Sequence, residues 1–199
     1  MTADTHTDIG PLLRTVLADL EQVFASIEPA QLTAPTPCPD FTVADLRKHI
    51  LGWVTFFAAA VNDPDGKTER PDAQTYEAPV DADADAAAVH KAAADLDGAI
   101  SAGAADGDIK LTAGTMPGAG ALQLILWEYI VHGWDLATAT GQPWAPPVAG
   151  SEQALTFANG MLTPEWRGKD FGDPIEVPDD ASALDKLLGF SGRDPNWKA

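Results

Sequence analysis

The sequence predicts an all-α fold, an antiparallel bundle of four helices with a short helical and irregular C-terminal extension. Three observations carry this reading. Four long segments place apolar residues at helical spacing. Ala-rich stretches of good helix formers recur. Pro- and Gly-rich segments punctuate the chain between them. Amphipathic helices of this kind bury their stripes against one another, which fits a bundle better than any sheet fold. The chain has 199 residues, 45% of them hydrophobic, enough for one substantial core. Residues 1–199 therefore read as a single domain, with its core over about 8–142 and the extension over about 143–199.

The first helix is expected over 8–28. Asp8 caps it, Pro11 is tolerated in its first turn, and Leu12, Val16, Leu20, Val23, Phe24 and Ile27 form its stripe. "TAPTPCPD" (33–40) holds three prolines and reads as a loop. The second helix runs from Thr42, the N-cap, to about Val61, with Asp45 as a short capping-box partner. Its inward stripe is Val43, Leu46, Ile50, Trp53, Phe57 and Ala60, and His49 falls on it, while Arg47 and Lys48 point elsewhere. A long polar surface connection (62–80) follows. The third helix covers 81–102, with an Asp-rich start suited to the helix dipole and Ala86, Val89, Ala93, Leu96 and Ile100 facing in. Residues 107–120 read as another connection. The fourth helix spans about Ala119 to Thr140, stopped by Gly141 and Pro143, with Leu122, Ile125, Tyr129 and Leu136 inward and Glu128, His132 and Asp135 beside them. A fifth helix covers 150–162. "DFGDPIEVPDD" is irregular, with room for one short strand, and "ASALDKLLGF" (181–190) closes the chain as a short helix.

Composition narrows the function. Twelve basic residues stand against 30 acidic ones, a net charge of −18. That charge repels phosphate backbones and anionic lipid, so partners of the nucleic-acid and membrane-surface classes are not expected. No stretch is long and apolar enough to span a bilayer, and "MTADTHTD" shows no export signal. The lone cysteine, Cys38, forms no internal disulfide. A reducing cytoplasm is the expected compartment. "GTMPGAG" lacks the lysine and the preceding strand of a phosphate-binding loop, and no serine sits near a histidine on a matching element.

The chemistry concentrates in three inward-facing groups. Glu128 and His132 lie four residues apart, one above the other on one helix face, and His49 comes from another helix. Two readings remain open at this point. The groups are either satisfied polar contacts in the core or the ligands of a metal site built between facing helices. Two imidazoles and one carboxylate suit zinc and leave a fourth position for water or substrate, the catalytic pattern. The same set accepts iron, nickel or manganese. Asp135, three residues after His132, is placed to orient an imidazole or to be a solvated carboxylate. Trp53, Trp127 and Trp134 either wall a pocket mouth or belong to the core. Cys38 reads as a small buried hydrophobe, and His6 and His90 as surface groups.

"TPCPDFTVADLRKHILGW" (36–53) followed by "WEYIVHGWDLATATGQ" (127–142) resembles the metal-binding domain of mycothiol-dependent maleylpyruvate isomerase, within the DinB-like superfamily. "PDDASALDKLLGFSGRDP" (178–195) resembles the tail of a short actinobacterial-type branch of that family. The resemblance implies an up-and-down four-helix bundle holding a divalent metal, usually zinc, on His49, Glu128 and His132. Glu at 128 matches the mycothiol branch, where other DinB-like proteins often have His. It further implies a low-molecular-weight thiol and an electrophilic substrate as partners, S-transfer or isomerisation as the chemistry, and pairing into homodimers. The isomerase carries a further C-terminal domain with a substrate-binding arginine, and neither Arg167 nor Arg193 is assigned as its equivalent. A thiol-dependent transferase or isomerase-like enzyme is the expectation, with a non-catalytic metal- or ligand-binding protein or a metal-free partner module as alternatives.

Overall fold

The computed structural model describes residues 8–77, 80–164, 167 and 171–198. The described chain is mostly helical, with one small two-stranded sheet. Helix α1 (Ile9–Ala25) starts at Asp8, whose carboxylate accepts a hydrogen bond from the Gly10 amide at 3.1 Å. It stops short of the expected residue 28, and Pro29–Gln31 form a separate 3-10 turn. Helix α2 (Val43–Asn62) opens on a reciprocal cap. The Asp45 amide donates to Thr42 Oγ1 at 3.3 Å and the Thr42 amide donates to Asp45 Oδ2 at 3.1 Å. Helix α3 (Ala82–Ser101) is capped by Asp81, which accepts from the amides of Asp83 and Ala84.

The segment expected as a plain connection at 107–120 contains a hairpin, β1 (Asp108–Leu111) and β2 (Gly114–Pro117), paired antiparallel. Gly114 at φ +135 makes the tight return. Ile109 is buried, the Lys110 amide donates to the Pro64 carbonyl at 2.9 Å, and Arg70 bonds the Lys110 carbonyl. The hairpin thus fastens the 62–80 connection. β2 leads directly into the next helix, but the stretch has neither the glycine spacing nor the Lys-Ser/Thr pair of a phosphate loop.

Helix α4 (Gly118–Ala139) is the most enclosed, with Leu122, Ile125, Tyr129, Ile130 and Leu136 all fully buried. Helices α5 (Val148–Met161) and α6 (Ala183–Phe190) follow. The four long helices meet in the order α1, α3, α2, α4, with α4 closing back on α1. Consecutive helices α1 and α2 share no extended interface, whereas a simple up-and-down order would set them edge to edge. The proline-rich segment before α2 and the hairpin before α4 make the two diagonal crossings. Helix α5 packs on α4, and α6 on α5.

One further expectation needs correction. Arg47, expected to point away from the core, is 1% exposed and pairs with Asp85 of α3, which is also buried. Its Nη2 donates to Asp85 Oδ1 at 2.6 Å. Each charge would be costly alone out of water, and the pairing offsets part of that cost. The "DFGDPIEVPDD" segment is irregular as expected, with no strand of its own among its described residues; the Ile175 amide donates to the Gly189 carbonyl at 2.8 Å, laying the segment along α6.

The tail after α6 turns sharply at Gly192, φ +79, where an added Cβ would lie 2.8 Å from Gly172 Cα. Only glycine fits that turn and that approach. Ser191 Oγ accepts from Trp127 Nε1 at 3.0 Å, and Phe171 stacks on the Trp127 ring with centroids 4.7 Å apart. The turn carries Arg193 back toward α4.

Candidate metal centre

Helical spacing on α4 sets Glu128 and His132 on one face, and α2 packs against α4 so that His49 meets them. His49 Nε2 lies 3.2 Å from Glu128 Oε1, and His132 Nε2 lies 3.6 Å from the same oxygen. The imidazole centroids are 4.8 Å apart. One donor atom from each of the three residues falls within 4.8 Å of the other two. The side chains of His49, Glu128 and His132 are 25%, 20% and 12% exposed, so the cluster is sunk in the protein but still reached by solvent.

Two observations test whether this set fits a metal. The donors are two neutral-capable imidazoles and a carboxylate, the open catalytic set for zinc. The Glu128 carboxyl is also charged throughout the neutral range. Burial alone would raise it, but the facing His132 and His49, with Arg193 farther off, bring it down to about 2.

Behind His132 the site continues into the core. His132 Nδ1 stands 3.0 Å from Asp135 Oδ2, and the Asp135 side chain is wholly buried. A carboxylate at that ring nitrogen fixes the tautomer with hydrogen on Nδ1 and the lone pair on Nε2. Burial works against the Asp135 charge, but Arg193 and His132 hold its carboxyl below the usual range. Arg193 Nη2 donates to Asp135 Oδ2 at 3.0 Å, and its Nε lies 3.2 Å from both carboxylate oxygens. Arg193 Nη1 donates to the Ser191 carbonyl at 3.1 Å.

Among the tryptophans, Trp53 has its ring 6.3 Å from that of His49. Trp127, although next to Glu128, makes its ring contacts with Phe157 and Phe171 in the tail junction. Trp134 is buried. Cys38 is half-buried and lies outside the donor cluster. Burial, partly offset by Arg193, pushes its thiol up to about 11, so it stays protonated at neutral pH. His90 is exposed beside Glu21, and His6 lies outside the described residues.

Two site residues escaped the sequence reading. Phe41 packs its ring 5.1 Å from His49, and its proline-rich loop gave no periodicity from which to place it. Arg193 lies 58 residues from Asp135 along the chain, so only the fold joins them. The quoted "GFSGRDP" block was its one sequence signal.

The model of the mycothiol maleylpyruvate isomerase N-terminal domain matches residues 13–137, which include all three clustered donors and Asp135. Two uncharacterized proteins of Mycobacterium tuberculosis, from strains CDC 1551 / Oshkosh and ATCC 25618 / H37Rv, are each 32% identical over 175 residues, covering 86% of this chain and 90% of theirs. Those matches extend beyond the span of the family model. No solved structure gives a significant match. The chain belongs to the mycothiol maleylpyruvate isomerase N-terminal domain family.

Proposed function

We propose that the chain is a divalent-metal-binding protein, zinc by preference, that acts on a low-molecular-weight thiol of the mycothiol type and an electrophilic partner in S-transfer or isomerase-like chemistry. The single observation that carries this reading is the convergence of His49, Glu128 and His132, one donor atom each within 4.8 Å. Family membership supplies the thiol, and supports reading the four long helices as a DinB-like four-helix bundle with the extension as part of one unit.

His49 and His132 through Nε2, with Glu128 through a carboxylate oxygen, would hold the ion and leave a position open. A divalent ion held there supplies Lewis acidity, which favours the thiolate form of a bound thiol. The chain's own residues prepare the site. Glu128 offsets positive charge because its carboxyl is ionised at neutral pH. Asp135 holds the His132 ring so that Nε2 faces Glu128. Phe41 and Trp53 flank the His49 ring. Cys38 lies outside the donor cluster and is not one of the groups that would hold the ion.

Calorimetric titration with a small thiol tests the reading. Zinc-loaded protein should bind the thiol, and chelator-treated protein and His132→Ala should not. Absence of binding to zinc-loaded protein would remove the thiol from the function.

A further inference from the structure

We propose that Arg193, from the C-terminal tail, is a positioning residue of the metal centre, acting on His132 through Asp135. The inference rests on the metal-binding reading above and extends it to a residue outside the span that the family model matches.

The argument begins with Asp135. Its side chain is wholly buried on α4, between the His132 ring and the Arg193 guanidinium. A buried carboxylate is tolerated when a cation and hydrogen bonds satisfy it. Arg193 does both. Its Nη2 donates to Oδ2 at 3.0 Å, and Nε lies within 3.2 Å of both oxygens. Gripping the carboxylate at two points fixes its plane, which a single bond from a flexible side chain would not do. With the plane fixed, Oδ2 is aimed at His132 Nδ1, 3.0 Å away. The imidazole is then held with its other nitrogen toward Glu128.

Arg193 is itself built into place. It is 6% exposed, its amide donates to the Leu188 carbonyl at 2.9 Å and its Nη1 to the Ser191 carbonyl at 3.1 Å. The Gly192 turn and the Trp127–Ser191 hydrogen bond seat the backbone that presents it. The tail therefore completes a line of contacts, Arg193 to Asp135 to His132, that the helices alone leave open at Asp135.

Two measurements on the full chain test this, with Arg193→Met, Arg193→Lys and Arg167→Met. Arg167 also ties the tail, bonding the Gly172 and Phe190 carbonyls, but has no bond to Asp135 among the described residues. The first measurement is nitrogen-15 NMR of the imidazoles in metal-free protein, at one fixed pH alkaline enough to keep the rings neutral. His132 should show the single Nδ1–H tautomer in the parent and in Arg167→Met, and a mixture in Arg193→Met. The second is zinc affinity by chelator competition. Arg193→Met should lose roughly tenfold or more, the scale of lost outer-shell contacts, with Arg167→Met unchanged and Arg193→Lys between. Should Arg193→Met fail to fold, Arg193→Lys carries both measurements and must shift each in the same direction. An unchanged His132 tautomer in the Arg193 variants, or equal zinc losses in Arg193→Met and Arg167→Met, would overturn the inference. A parent protein that binds no zinc but keeps the tautomer pattern would overturn the metal reading alone.

Discussion

Two buried arginine–aspartate pairs in this molecule are alike in chemistry and different in consequence. Arg47 and Asp85 join α2 to α3, both nearly inaccessible to water. Arg193 and Asp135 join the tail to α4, equally inaccessible. The first pair fastens two helices together. In the second, Asp135 has a further partner in His132, whose other nitrogen faces Glu128. Burial of a charged pair therefore does not mark function. What the carboxylate touches next does.

The largest expected effects fall on these two pairs. Arg47→Ala strands the Asp85 carboxylate in the core and should cost about 3–5 kcal/mol in urea unfolding. Zinc affinity of the folded variant should stay within roughly threefold of the parent, because the pair is not bonded to the three donors. Asp135→Asn should differ in its effect on the metal. It keeps the side-chain shape but leaves the buried Arg193 guanidinium without a counter-charge, so unfolding should also cost about 3–5 kcal/mol, while zinc affinity in chelator competition drops roughly 10–100-fold. If the two variants lose stability and affinity in the same proportion, the distinction between the pairs collapses.

Acid sharpens the comparison at the site itself. Glu128 has its carboxyl lowered from 4.5 to about 2 in the folded protein, and Asp135 is lowered from 3.8. A lowered carboxylate stabilises the fold above its unfolded value, and that contribution is lost as pH falls toward the folded value. The urea midpoint of metal-free protein should therefore fall from pH 4.5 down to about 2, and Glu128→Gln should flatten that fall. The smallest effect is expected from Trp127→Phe, which removes the hydrogen bond to Ser191. It should cost about 1 kcal/mol of stability, with a modest loss of zinc affinity through a looser seat for Arg193.

Sequence periodicity made the donors legible. His49 lies on the stripe between Leu46 and Trp53, and Glu128 and His132 share a face because four residues make one helical turn. The same logic misplaced Arg47, which lies off the stripe that carries His49. It is four residues after Val43 and four before Leu51, both buried, on a second inward face, the one that meets α3. The hairpin was hidden because its two short strands are defined by pairing with each other and by a glycine turn, not by a repeating pattern. The helix order around the core was illegible for a related reason, since loop length does not reveal which corner a chain crosses to. Arg193 was beyond periodicity altogether, as its partner lies on another element 58 residues away.

Metal content of the purified chain and of its histidine variants tests the central claim most directly. The parent, loaded with zinc and passed through a desalting column, should retain about one divalent ion per chain. His49→Ala and His132→Ala should each retain essentially none while keeping their helical circular-dichroism spectra. Full occupancy in both folded variants would show that His49, Glu128 and His132 do not form the metal site.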